Sequence, residues 1–451
     1  MFKKLLILFL LQCAITTTFA TNYLTFTAEE EGSSFGIENH GDNNPDVQYS
    51  LDDGETWTQL LNEEMVTLGH KGDKALLKGE NPDGFDQNDV YYTKFQMRGT
   101  IAASGSVMSL IDGIGESVII PNESCFYRLF SGCTSLTQAP ELPATTLTYK
   151  CYYNMFVNCS NLTEAPDLPA TTLAKMCYDE MFRNCSSLTQ APELPATVLA
   201  YSCYSRMFSG CTSLTQAPEL PATTLSYGCY SEMFENCTNL TQAPQLPAIT
   251  LADYCYSAMF KNCTSLTQAP ELPSTNMTWC CYRRMFEGCT NLTKAPVLHG
   301  TVIYADFAAY MFKGCKSLSE ISISFSQWYG IGATGLQYDG TENWVSGVAP
   351  TGTFICPKEL PEEYGDSKIP EGWKIEYKEA GIEETASSPS WSVRTSDLIL
   401  FVSGAKADIE VYDSTGKLVA RRNGGEDVQV ELPQKGVFFV KVGKECRKVE
   451  L

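Results

Sequence analysis

The stretch CYSRMFSGCTSLTQAPELPATTLSYG, Cys203–Gly228, decides the fold, because it is one of eight copies laid end to end at a period of 26 residues. The first cysteine of each copy falls at Cys125, Cys151, Cys177, Cys203, Cys229, Cys255 and Cys281, and Phe307 takes its place in the eighth. A second cysteine follows eight residues later in every copy, from Cys133 to Cys315. A strict period of this size marks a solenoid, in which one coil cannot bury its apolar side alone and stacked neighbours bury it jointly. Within the copy, Met207 and Phe208 lie in a segment that predicts a turn or two of helix. Leu214 and Leu225 are apolar anchors, and TQAPELP is the extended part. Proline has no N–H and a fixed φ, so Pro218 and Pro221 exclude helix there and weaken a β-ladder. Short strands are expected, with one backbone bond missing per coil. Coils about 4.8 Å apart would stack into a rod or arc roughly 35 Å long.

Each unit reads as one coil of a leucine-rich-repeat solenoid. The predicted fold class is α+β, mostly β, with a β-sandwich on either side of the solenoid. Residues 1–20 have the form of a signal peptide: Lys3 and Lys4, the run LLILFLLQ, then small residues ending at Ala20. That run is too short to span a bilayer. A lipoprotein reading at LLQCA, with Cys13 acylated, meets an unsuitable Gln12. Residues 21–118 alternate as strands do, and SLDDGETW, Ser50–Trp57, has the Asp-box pattern S-x-D-x-G-x-T-W, a hairpin device. The solenoid is placed at 119–330 and an irregular closing segment at 331–379. In that segment Trp344, Phe354 and Trp373 are expected to cover the open end of the core. A polar linker follows at 380–390, and 391–451 reads as a β domain of about six strands.

Composition excludes some partners. Lys and Arg total 32 against 53 Asp and Glu, a formal charge of −21. Such a chain disfavours nucleic acid and anionic membrane surfaces. No G-x-S-x-G, H-E-x-x-H, P-loop or dinucleotide fingerprint occurs. Periodic carboxylates argue against one unique active site, so no catalytic residue, cofactor or metal is expected. No C-x₂-C pair is present, and His40, His70 and His299 are isolated. Sixteen of the 19 cysteines lie in the repeats. Two ladders of buried thiols and disulfides in some coils are both open readings. Across a helical eight-residue spacing, about 12 Å, a bridge within one copy is out of reach.

Two periodic series are candidate binding surfaces. The first is polar: Gln138, Glu164, Gln190, Gln216, Gln242 and Gln268, ending at Lys294, beside Glu141, Asp167, Glu193, Glu219, Gln245 and Glu271. It is either a ligand face or a solvated face that keeps the rod soluble. The second is aromatic: Tyr152, Tyr178, Tyr204, Tyr230, Tyr256 and Tyr282. It is either a stacked structural column with its hydroxyls at the surface or a sugar-binding platform.

The repeat CYxxMFxxCTSLTQAPELPATTL resembles that of the BspA-like leucine-rich-repeat surface proteins of Bacteroidetes. YLTFTAEE…YSLDDGETWTQL and WVSGVAPTGTF…IPEGW resemble the modules that flank such repeats, so the likeness covers roughly residues 22–378. It implies a cell-surface binding protein, adhesin-like, whose partner is a host matrix or cell-surface protein, with a glycan as the alternative ligand. The unit departs from the shorter family strand LTSITIP by an extra residue and a second proline. IEVYDSTGKLV, KGVFFVKV and the terminal KVEL resemble the C-terminal sorting domain of type IX secretion. That implies outer-membrane export machinery as a further partner, and a place at the cell surface or outside the cell.

Overall fold

The computed structural model describes residues 21–331, 337–378, 392–396, 399–405, 408–413, 417–432, 437–442 and 445–450. The expected signal segment and the linker at 380–390 lie outside the described residues. The chain divides into two compact units, one ending at Lys378 and one beginning at Glu379. No helix among the described residues is long and apolar enough to cross a membrane.

The first unit opens with eight strands: β1 (Leu24–Ala28), β2 (Ser34–His40), β3 (Gln48–Ser50), β4 (Thr58–Gln59), β5 (Met65–Thr67), β6 (Lys74–Lys78), β7 (Tyr92–Arg98) and β8 (Ile101–Ser104). They form two sheets, β4-β3-β6-β1-β8 and β5-β2-β7. Phe26 of the first sheet meets Phe35 and Phe95 of the second edge-on, at 5.2 and 5.0 Å. The Asp-box stretch is a hairpin turn between β3 and β4. Ser50 Oγ and Thr56 Oγ1 each donate to the Asp52 carboxylate at 2.6 Å. These bonds hold the Asp52 carboxyl down to about 2. Trp57 lies against Tyr23 at 5.1 Å, with Lys78 Nζ over its ring. A four-residue α1 (Ser109–Asp112) is the one α-helix among the described residues, so the expected α+β class reduces to mostly β.

The solenoid continues the first sheet. Its opening strand, β9 (Leu136–Gln138), pairs in parallel with β8. Beyond it, the expected short strands shrink to isolated bridges such as Gln138↔Glu164, Glu164↔Gln190, Gln216↔Gln242 and Gln268↔Lys294. The paired prolines that follow remove the donors a longer ladder would need. Threonine side chains add links there: Thr163 Oγ1 donates to Thr137 O at 3.2 Å, and Thr241 Oγ1 to Thr215 O at 3.3 Å.

The expected helix at Met207–Phe208 is absent. The segment is a run of turns with a strict alternation of hydrogen bonds. Cys203, Ser205, Met207, Ser209 and Cys211 donate their N–H three residues back, to Ala200, Ser202, Tyr204, Arg206 and Phe208. The residues between them donate to the next coil: Tyr204 to Cys229 O, Arg206 to Ser231 O, Phe208 to Met233 O and Gly210 to Glu235 O, at 2.7–3.1 Å. A helix would have spent every donor internally; this ribbon spends half of them on stacking. Every second turn has a positive φ at its third residue, as a type II turn requires: Ser202, Arg206 and Gly210 stand at 48°, 51° and 78°.

Stacking carries the apolar residues into columns. Cys203, Tyr204, Met207, Phe208, Cys211, Leu214, Leu220 and Ala222 are all buried, as are their equivalents in the neighbouring copies. Phenylalanine rings run from Phe130 to Phe312 in one stack, with centroids 5.4–5.9 Å apart. Trp344 ends it, 6.0 Å from Phe312. The closing strands are β10 (Glu320–Ser322), β11 (Tyr329–Ile331), β12 (Gln337–Asp339), β13 (Thr353–Cys356) and β14 (Lys374–Tyr377). β10, β13 and β14 pair in parallel, extending the stack. Trp344, Phe354 and Trp373 are buried as expected, together with Trp328.

Among its described residues the second unit shows seven strands, where about six were expected: β15 (Ser392–Ser396), β16 (Ile399–Ala405), β17 (Ile409–Asp413), β18 (Leu418–Arg422), β19 (Gly425–Glu431), β20 (Val437–Val442) and β21 (Glu445–Glu450). They form sheets β15-β16-β19 and β18-β17-β20-β21. Leu400, Val402 and Val430 of one sheet share a core with Ile409, Val411, Phe438 and Val440 of the other.

Candidate functional site

The extended part of each coil turns its glutamine and acidic positions outward. Gln138, Glu164, Gln190, Gln216, Gln242, Gln268 and Lys294 are all exposed, and so are Glu141, Asp167, Glu193, Glu219, Gln245 and Glu271. The leucine that follows the acidic position, such as Leu220 in the copy at Cys203, points into the core. Strand-like backbone sends alternate side chains to opposite sides, which sorts APELP into an inner and an outer set. Equivalent residues of bridged coils recur about every 4.8 Å. The face is therefore a polar grid with an acidic row, interrupted at Gln245 and ended by the Lys294–Glu320 pair at 2.8 Å.

Two open grooves lie on this grid. One, of about 510 Å³, is lined by Gln138, Glu141, Glu164 and Asp167 with the neighbouring prolines and leucine. The other, of about 490 Å³, is lined by Gln242, Gln245 and Gln268 with Thr241 and Thr267. Glu141 Oε2 accepts a hydrogen bond from Asn22 at 2.6 Å, tying the first groove to the N-terminal strands. Carboxylates, amides and rigid prolines at a fixed repeat make a surface for multivalent polar contact.

The tyrosine column is a different matter. Tyr152, Tyr178, Tyr204, Tyr230, Tyr256 and Tyr282 are at most 2 % exposed, so they cannot serve as a sugar platform. Their rings stack on one another at 5.9–6.1 Å. The expectation of surface hydroxyls also fails: the Tyr152 and Tyr230 hydroxyls are buried without a hydrogen-bond partner. The column is part of the core, and its burial pushes the phenol pKa values up.

The repeat cysteines are free thiols, and all are buried. In the second ladder each thiol from Cys159 on donates to a phenylalanine carbonyl of the preceding coil, Cys211 Sγ to Phe182 O at 3.1 Å, and Cys133 donates to Phe95 O of β7 at 3.2 Å. Burial pushes thiols such as Cys229 and Cys237 up to about 12, far from the thiolate range. On the turn ribbon, Arg206 bridges Glu180 and Glu232 at 3.1 and 3.0 Å. Beside it Asp179 is buried, with Oδ1 unpartnered, and burial with the neighbouring Glu180 raises its carboxyl to about 7.

An aromatic series that the sequence reading did not single out is the exposed one. Tyr201, Tyr227, Trp279 and Tyr304 are about two-fifths exposed. The signal was an aromatic two residues before the first cysteine, at Tyr149, Tyr201, Tyr227 and Trp279.

Comparison with known families matches residues 116–241, 150–293 and 230–333 to the BspA type leucine rich repeat region. The middle of the chain is thus a BspA-type leucine-rich-repeat region, a repeat typical of surface proteins and typically non-catalytic. No curated protein and no solved structure matches the chain.

Proposed function

We propose that this is an exported cell-surface binding protein, adhesin-like, that uses the glutamine and acidic grid of its solenoid to engage a protein partner. The observation that carries the reading is the coincidence of the exposed rows with the two grooves, Gln138–Asp167 and Gln242–Gln268. The partner class is a host matrix or cell-surface protein. A grid of amides and carboxylates at fixed spacing selects a polar surface rich in donors and positive charge. The test is capture of purified matrix proteins by the mature chain, compared with a variant carrying Glu141→Lys, Glu193→Lys and Glu219→Lys. Equal capture by both would remove the grid from the reading.

Export rests on the two ends of the sequence: the charged and apolar start up to Ala20, and the likeness of 391–451 to a type IX sorting domain. Deletion of 391–451 is expected to trap a folded solenoid in the periplasm. Surface display at the full-length level would sink the sorting role.

A further inference from the structure

We infer that the exposed aromatic stripe docks a second copy of this chain, in antiparallel register about a two-fold axis between Tyr201 and Tyr227. The stripe is continuous: Tyr201 and Tyr227 stack at 4.8 Å and 3°, Tyr227 meets Tyr254 at 5.4 Å, and Tyr254 meets Trp279 at 5.5 Å. Asp253 stands in the aromatic position of its coil and Tyr254 fills the stack beside it. The Tyr201 and Tyr227 rings use their faces on each other, so solvent meets ring edges and hydroxyls. A sugar needs a free ring face; a packed protein surface accepts edges and hydroxyls.

The order of residues along the stripe selects a second copy. Read coil by coil, the position two before the first cysteine is Tyr149, Lys175, Tyr201, Tyr227, Asp253 and Trp279. A two-fold axis between the third and fourth pairs Tyr201 with Tyr227, Lys175 with Asp253 and Tyr149 with Trp279. An isologous interface demands such self-complementarity, and the common coil spacing keeps every pair in step. Lys175 Nζ lies over Tyr201 at 4.5 Å and Tyr149 at 5.7 Å, with no carboxylate partner in its own chain among the described residues. Asp253 takes the N–H of Trp279 at 3.0 Å and has no cationic ion-pair partner there. Val198, Ile249 and Val302, more than half exposed, add apolar area in the preceding segment of their coils. Together these side chains offer on the order of 700 Å² per chain, close to the ~800 Å² per partner of a standard interface. The net charge of −21 opposes self-association, but its reach is limited to about 8 Å at physiological salt.

The test is sedimentation velocity of the mature chain from about 1 to about 100 µM in about 0.15 M salt. A concentration-dependent dimer is expected. Lys175→Glu and Asp253→Lys are each expected to weaken it at least about tenfold, because each homodimer then faces like charges twice. An equimolar mixture of the two variants restores the dimer, since the mixed pair has attraction at both contacts. A general folding defect would not produce that rescue. Tyr201→Ser, at an exposed site, weakens the dimer by itself and decides with Lys175→Glu if Asp253→Lys does not fold. A monomer at every concentration, variants that dimerise like the parent, or a mixture no better than its components overturns the inference.

Discussion

The thiol of Cys211 donates to the carbonyl oxygen of Phe182, 29 residues earlier and one coil away, at 3.1 Å. The same contact recurs for Cys159, Cys185, Cys237, Cys263, Cys289 and Cys315 at 3.0–3.1 Å. It explains why a cysteine stands here. The site takes a small apolar side chain, and the S–H still finds an acceptor.

From this follows the redox behaviour. Native alkylation should label few repeat cysteines, because they are buried and their thiols are pushed toward protonation. Denaturant without reductant should expose nearly all of them to label. Mass spectrometry that finds them resistant in denaturant would show disulfides instead.

Core truncation should spread along the stack. Leu214 is fully buried, and Leu214→Ala is expected to cost about 2–5 kcal/mol. Because coils contact only their neighbours, the loss should appear as faster amide exchange around Leu188 and Leu240. Unchanged exchange at both would contradict the shared core.

The turn ribbon makes a prediction at Gly210. Its φ is 78°, and an added Cβ would come within 2.3 Å of Asn184 Oδ1. Gly210→Ala is expected to destabilise by at least about 1–2 kcal/mol from backbone strain alone. Asn236→Gly, at the equivalent position with φ 61°, should change stability by less than about 1 kcal/mol. Urea denaturation of both variants separates a conformational requirement from a packing one.

Asp179 sets a pH dependence. Its carboxyl is raised to about 7 in the folded protein, above its unfolded value near 4. The folded state therefore binds the extra proton between these values. Its stability is greatest below about pH 4 as far as this group is concerned, and falls as pH rises through about 7. Asp179→Ser, which installs the residue found at Ser205, Ser231 and Ser257, should raise the melting temperature at pH 8 and flatten its fall between pH 5 and 8 by its own share. A variant no more stable than the parent at pH 8 would contradict this reading.

The sequence by itself determined the period, the number of copies and most of the core. A residue that recurs every 26 positions must meet its own equivalents, so the leucine, phenylalanine and cysteine columns follow from the repeat alone. The prolines of APELP likewise marked an extended, poorly bonded strand, and the outward acidic row was readable from its place next to Leu220 and its equivalents; Gln216, four residues before Leu220, is exposed although strict alternation would put both on one side. Periodicity says which residues align, but not which way a column faces. Tyr204 and Tyr201 are both periodic tyrosines, three residues apart; one is in the core and the other at the surface. The tertiary structure decided between them through the turn ribbon. Its direction depends on positive φ at Ser202 and Arg206, residues with no intrinsic preference for that conformation. They are held there because every second N–H between Cys203 and Cys211 reaches the next coil. That bond does not exist until the coils are stacked, so no local reading of the segment could supply it.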